Sequence, residues 1–271
     1  TVDRVTVRLV DTDGVHDSGP TVASRSTTVG GKAVEKAARA VKGSILKMAS
    51  LMTGADPESI RIRDNSVRIE GDDNTVIPLA EAATAAYWTG FPLMHLEFSQ
   101  APAADYDHET HQGNIYIAYN FGTHRMDIRI DRYTGKVEVL RHTACHDVGK
   151  VINPLGFEGQ VQGASLIGFG LAHMERIEYD AGRVMNPNFA DYAVPTVLDR
   201  IDTEPIAVEE ANPTGPFGAK GIGEPPVAGT AAAFANAVAD ATGIRFRRLP
   251  ITRQDILRAL ENGTDRGGTH G

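Results

Sequence analysis

Apolar and polar residues alternate through Val5-Thr6-Val7-Arg8-Leu9-Val10, which predicts a strand over residues 5–10. Residues 11–20 read as a turn-rich loop. The hydroxyl-rich run Thr21–Thr28 leads into a pattern of Ala, Val, Ile and Leu with helical spacing from Gly30 to Ser50, which Gly54 and Pro57 end. Residues 59–78 read as a hairpin and residues 78–88 as a short helix. Phe91–Gly113 carries little periodicity and is expected to be a functional or flexible loop. Two or three antiparallel strands follow up to Cys145, with a turn at Tyr133-Thr134-Gly135. A long helix is expected over residues 157–178, although Gly159, Gly163, Gly168 and Gly170 lie along it. Gly in a helix costs up to about 1 kcal/mol relative to Ala, so four of them point to close approach of backbone or ligand. A Gly-rich loop over residues 215–226 precedes an Ala-rich helix at 227–242. A last helix follows Thr252, a candidate N-cap. The class is α+β, with mixed or antiparallel sheets and packed helices.

Composition narrows the function classes. The 271 residues suit one large domain or two ordinary ones. With 27 Lys and Arg against 35 Asp and Glu, the net charge is −8, which argues against a nucleic-acid or anionic-membrane surface. One cysteine excludes an intramolecular disulfide and an iron–sulfur cluster built from this chain alone. The most apolar stretch, residues 227–244, contains Asn236 and Asp240 and reads as a packed helix, so no membrane span is expected. No leader pattern is evident, and a cytoplasmic setting is expected. The opening in mid-strand points to a processed subunit or part of a longer chain, and residues 263–271 read as a flexible tail.

Several chemical motifs can be weighed on residues alone. Gly31-Lys32-Ala33 lacks the hydroxyl residue of a phosphate-binding loop, and Pro226 stands where a dinucleotide fingerprint needs its third Gly. His108-Glu109-Thr110-His111 is followed by Gln112, so it lacks the histidine pair of a zinc peptidase. His142, Cys145 and His146 could supply three zinc donors, or be a thiol and two polar histidines of the core. The loop Gly19–Thr28 places hydroxyl groups and N–H donors before a helix, which suits a phosphate or polar cofactor as well as an ordinary N-cap. Glu224 stands between Gly223 and the pair Pro225-Pro226, a setting for a rigidly held general base or for a solvated surface carboxylate.

At these residues the chain resembles the xanthine dehydrogenase/aldehyde oxidase family of molybdenum hydroxylases. Residues 215–252 are similar to the C-terminal part of that family. Residues 146–172 and 183–196, the start at Gly19–Val34 and the hairpin at Ile130–Arg141 match it in the same order. The resemblance runs from about residue 2 to 260 and implies the molybdopterin-binding domain fold. Residues 1–262 would form the second half of such a domain, as one or two α+β lobes.

The resemblance implies a molybdenum–pterin cofactor, as molybdopterin or its cytosine dinucleotide. It also implies oxidative hydroxylation at an electron-poor carbon of an N-heterocycle or an aldehyde, with Glu224 as the base activating Mo–OH. Ala23, Ser24 and Ser26 match the loop that binds the pterin and its phosphate. Gln160 matches a glutamine on the cofactor, and Ile222 and Gly223 line the cofactor and substrate cavity. Arg25 sits in the cofactor loop, where an anion partner is reasonable. The other half of the molybdenum subunit and FAD and iron–sulfur modules are expected on partner chains. The alternative is a non-catalytic cofactor-binding or scaffold subunit.

Overall fold

The computed structural model describes residues 2–8, 11–99 and 105–264. The chain forms two compact units, Thr1–Ala103 and Ala104–Gly271.

The first unit opens with a 3-10 turn at Val2–Arg4. The strand expected over residues 5–10 does not form at residues 5–8, and residues 9–10 lie outside the described set. Val5 and Val7 are about two-thirds exposed. Alternation yields a strand only where a neighbour takes up its backbone N–H and C=O groups, and among the described residues none pairs here. A π-helical turn at Ser26–Gly30 runs into α1, Gly31–Thr53. Gly54 ends α1 in the left-handed conformation, with its N–H on the Ser50 carbonyl at 2.8 Å.

β1 (Ile60–Arg63), β2 (Ser66–Ile69) and β3 (Asp72–Pro78) form an antiparallel meander, one strand more than the expected hairpin. Asp64 and Asn65 turn between β1 and β2 with φ of 49° and 54°, conformations these residues tolerate. α2, Leu79–Trp88, follows. Ile45 and Ala49 of α1, Ile60, Val67 and Ala82 make the core.

The second unit begins with a short hairpin, β4 (Asp105–Asp107) and β5 (Gln112–Asn114), inside the segment expected to be a loop. β6 (Gly122–Ile130) and β7 (Val137–Asp147) pair antiparallel, with Asp131 accepting from the N–H groups of Tyr133 and Thr134 in the expected turn. α3 spans Pro154–His173, and Asn153 caps it by accepting from the Gly156 N–H at 2.9 Å. α3 stops before residue 178 because Met174 and Glu175 both donate to the Gly170 carbonyl, and Asn186 bonds the departing backbone at Arg176 and Glu178.

β8 (Tyr179–Asp180) and β9 (Arg183–Val184) make a small hairpin. β10 (Thr203–Val208) then joins β7 in parallel, giving the sheet order β10-β7-β6. α4 spans Pro225–Thr242 and α5 spans Arg253–Thr264. Thr252 and Asp255 bond reciprocally at the start of α5, as expected of an N-cap. Gly263 and Thr264 complete this helix, and the rest of the expected tail lies outside the described residues.

Phe169 of α3 and Phe234 of α4 meet edge to face at 5.5 Å in a core shared with Met126, Val238, Ile251 and Ile256. Among the described residues no helix is long and apolar enough to cross a membrane.

Candidate functional site

In the first unit, Ala23 and Ser24 take left-handed backbone conformations, with φ of 50° and 54°, just before the helix starts at Arg25. The Arg25 side chain makes no cap hydrogen bond at this start. N–H groups at a helix start attract anions. The loop borders a cavity of about 280 Å³ lined by Ser18, Thr21, Arg25, Ser26, Leu96 and Phe98 among others. Ser26 reaches Thr21 through hydroxyl groups 3.4 Å apart. Arg25 bends back on its own loop: its Nη1 donates to the carbonyls of Ser18 at 2.9 Å and Pro20 at 3.0 Å. The guanidinium therefore shapes the loop as well as lining the cavity. The small side chains, the hydroxyl groups and the turn that leads into the helix fit a phosphorylated polar group such as the pterin.

In the second unit, the loop before α4 is pinned at several points. The Lys220 N–H donates to the Val148 carbonyl at 2.8 Å, and Gly149 bridges to Ala219. Gly149 has φ of 58°, and a Cβ there would collide with the Gly218 carbonyl, so the close approach requires glycine. Lys220 forms an ion pair with Asp147 in which both side chains are about nine-tenths buried, and it also donates to the Tyr119 carbonyl at 3.1 Å. Burial pushes the Asp147 carboxyl up, but the Lys220 and Gly149 donors outweigh it and hold it below the ordinary value.

Ile222 packs on the core cluster of Ala144, Val148, Phe157 and Val161, so its side chain serves the core. Gln160 is exposed on α3, one residue before Val161. The Ile222 contact thus brings the loop against the turn of α3 that carries Gln160. Glu224 is exposed at the N-cap position of α4 and makes no cap hydrogen bond with its side chain.

The glycines of α3 divide into two classes. A Cβ on Gly168 would lie 2.6 Å from the Val227 carbonyl, and one on Gly170 would strike Glu175 and Pro195, so these two allow packing. Gly159 and Gly163, either side of Gln160, face open space.

His142, Cys145 and His146 do not converge. His142 and His146 share one face of β7, and Cys145 lies on the other. Among the described residues no group of three or more His, Cys, Asp or Glu is arranged to hold a metal ion. The two histidines instead meet His124 of β6, which sequence reasoning missed. Lys220, Asp147 and Asn120 were also missed. Their contacts join residues 73 to 101 positions apart, and no local pattern signals them.

The family model described as molybdopterin cofactor-binding domain matches residues 1–200. The chain is 34% identical over 251 residues to the 6-hydroxypseudooxynicotine dehydrogenase complex subunit gamma of Paenarthrobacter nicotinovorans, covering 91% of this chain and 31% of that subunit. It is 33% identical over 248 residues to the xanthine dehydrogenase molybdenum-binding subunit of Escherichia coli, covering 89% and 31%. The solved structure of reconstituted CO dehydrogenase from Oligotropha carboxidovorans superposes with a TM-score of 0.76 at 26% identity, covering 94% of this chain and 31% of that one. The chain therefore spans about a third of the length of these relatives.

Proposed function

The chain belongs to the molybdopterin cofactor-binding domain family, and from that membership we propose that it is the base-carrying part of a molybdenum hydroxylase acting on an N-heterocycle. Two of the relatives above are named for compounds that contain such a ring, nicotine-derived and purine respectively, which supports this class. Each unit carries candidate holding residues of its own: Ala23, Ser24 and Ser26 in the turn that leads into the π-helical segment, with Arg25 fixing their loop, in the first unit, and Gln160, Ile222 and Gly223 in the second.

When bound, as molybdopterin or its cytosine dinucleotide, the cofactor would supply two-electron redox chemistry. The chain's own contribution is proton transfer: Glu224 would accept a proton at a carboxylate oxygen as general base. The turn at Ala23–Ser26 would hold a phosphate at the helix start that follows it, and Gln160 would hydrogen-bond the cofactor. The remainder of the molybdenum subunit and iron–sulfur and FAD chains complete the electron path.

The observation that carries this reading is the place of Glu224, an exposed carboxylate four residues after Lys220 on a loop pinned to Val148, Gly149 and Asp147. Glu224→Gln in the assembled enzyme should lower kcat by about 10²- to 10⁴-fold, the usual range for a general base. Molybdenum and pterin content should stay at the wild-type level. Wild-type turnover in that variant, with cofactor content intact, would overturn the base assignment.

A further inference from the structure

Three histidines and their neighbours form one hydrogen-bonded line across the buried face of the β10-β7-β6 sheet. Thr203 Oγ1 lies 3.0 Å from His142 Nδ1, and His142 Nε2 lies 3.1 Å from His124 Nδ1. His124 Nε2 lies 2.8 Å from His146 Nε2, and His146 Nδ1 lies 3.1 Å from Asn120 Oδ1. Asn120 Nδ2 donates to the Gly221 carbonyl at 3.2 Å. The pleat places these groups together: His142 pairs with Met126 and with Thr203, and His146 pairs with Gly122, so all share one face. Room for the rings comes from two glycines. A Cβ on Gly122 would lie 2.5 Å from His146 Cε1, and one on Gly229 of α4 would collide with the His124 ring.

The direction of every hydrogen in this line can be derived. A carbonyl only accepts, so Asn120 turns its NH₂ to Gly221 and its Oδ1 to His146. His146 Nδ1 therefore carries hydrogen, and in a neutral ring its Nε2 accepts. His124 then donates from Nε2 and accepts at Nδ1. His142 donates from Nε2 and accepts at Nδ1, and the Thr203 hydroxyl donates. With all three rings neutral, this single arrangement satisfies every contact. Burial keeps the rings neutral, since it pushes His124 and His142 down to about 4 and lowers His146 as well. The geometry is a wire, since His124 turns a different nitrogen to each neighbour. Thr230 Oγ1 lies 3.3 Å from His124 Nδ1 but gives its single hydrogen to the Pro226 carbonyl at 3.0 Å, so it stands beside the line rather than in it.

We infer that the line from Thr203 through His142, His124 and His146 to Asn120 is a positioning device that fixes the Gly221 carbonyl and, through it, the orientation of Glu224. Its consequence for turnover rests on the function proposed above; its effect on the loop does not. Asn120 and His146 are positioning residues, and the line meets the loop three residues before the carboxylate. The loop's own cation, Lys220, is held separately by Asp147 and the Tyr119 carbonyl.

The test uses the complete molybdenum subunit in its native complex. In Asn120→Leu, amide hydrogen exchange at Gly221–Gly223 should rise about tenfold, the factor for one lost hydrogen bond, with exchange in α3 unchanged. kcat should fall by about tenfold or more at near-normal KM. The nearly isosteric Asn120→Asp separates positioning from general loosening. An ionised carboxylate repels the Gly221 carbonyl, whereas a protonated one donates to it as the amide did. The ratio of variant to wild-type kcat should therefore rise as the pH falls and the carboxyl takes up its proton for Asn120→Asp, and stay level for Asn120→Leu. Unchanged exchange at Gly221–Gly223 would overturn the inference whatever the activity. Faster exchange with normal kcat would overturn its link to turnover. Turnover retained in Glu224→Gln would instead remove the base reading and leave the exchange result to decide the loop claim.

Discussion

Lys220 and Asp147 show how much one residue can hold. Both side chains are about nine-tenths buried, and each is the other's charge partner. Removing one partner of a buried pair leaves an uncompensated charge and costs about 3 kcal/mol or more. Lys220→Met should lower stability by about 3 kcal/mol in denaturant titration, whereas a change below about 0.5 kcal/mol would mean that the loop is held by its backbone bonds alone.

The histidines add a pH dependence of known sign. Above pH 6.5 their rings are neutral in both the folded and unfolded chain. Between 6.5 and about 4 the unfolded chain takes up protons that folded His124 and His142 refuse. Stability should fall on acidification through that window by about 1.4 kcal/mol per pH unit for each such histidine, and the loss levels off below it. Asp147, held below its ordinary value, loses its contribution in the same direction at lower pH. Flat stability between about pH 6.5 and 4.5 would contradict the buried neutral rings.

At the scale of elements, α3 carries two kinds of glycine with opposite expectations. Gly168→Ala places a methyl 2.6 Å from the Val227 carbonyl and 2.8 Å from Thr230 Cβ, which forces α3 and α4 apart. Overpacking of this kind costs about 1–3 kcal/mol. Gly163→Ala meets nothing within 4 Å and should stabilise the isolated chain by up to about 1 kcal/mol through helix propensity. Thermal or denaturant unfolding of the two variants checks both signs.

The helices were readable because their periodicity and caps are local: α1 ends at Gly54, and α5 begins after Thr252, as the sequence implies. The expected strand does not form at residues 5–8 because alternation does not reveal whether a partner strand is present. The overlong end of α3 was misread because Asn186, thirteen residues beyond the helix, redirects the chain. The Glu loop and the Ser loop stood out by composition. The line through His124, His142 and His146 did not, because it exists only once β6, β7 and β10 are in register.

At the scale of the whole molecule, the family membership and the α+β architecture agree, and the chain spans 31% of the relatives it matches. Each unit presents one feature suited to a large polar cofactor: a helix start beside a cavity in the first, and a pinned loop carrying Glu224 in the second. The most direct test is the molybdenum and pterin content of the native complex that contains this chain, purified from its own host. Molybdenum and pterin equimolar with the chain are the expected result. An intact complex with neither would contradict the cofactor-binding role and, with it, the assignment of Glu224.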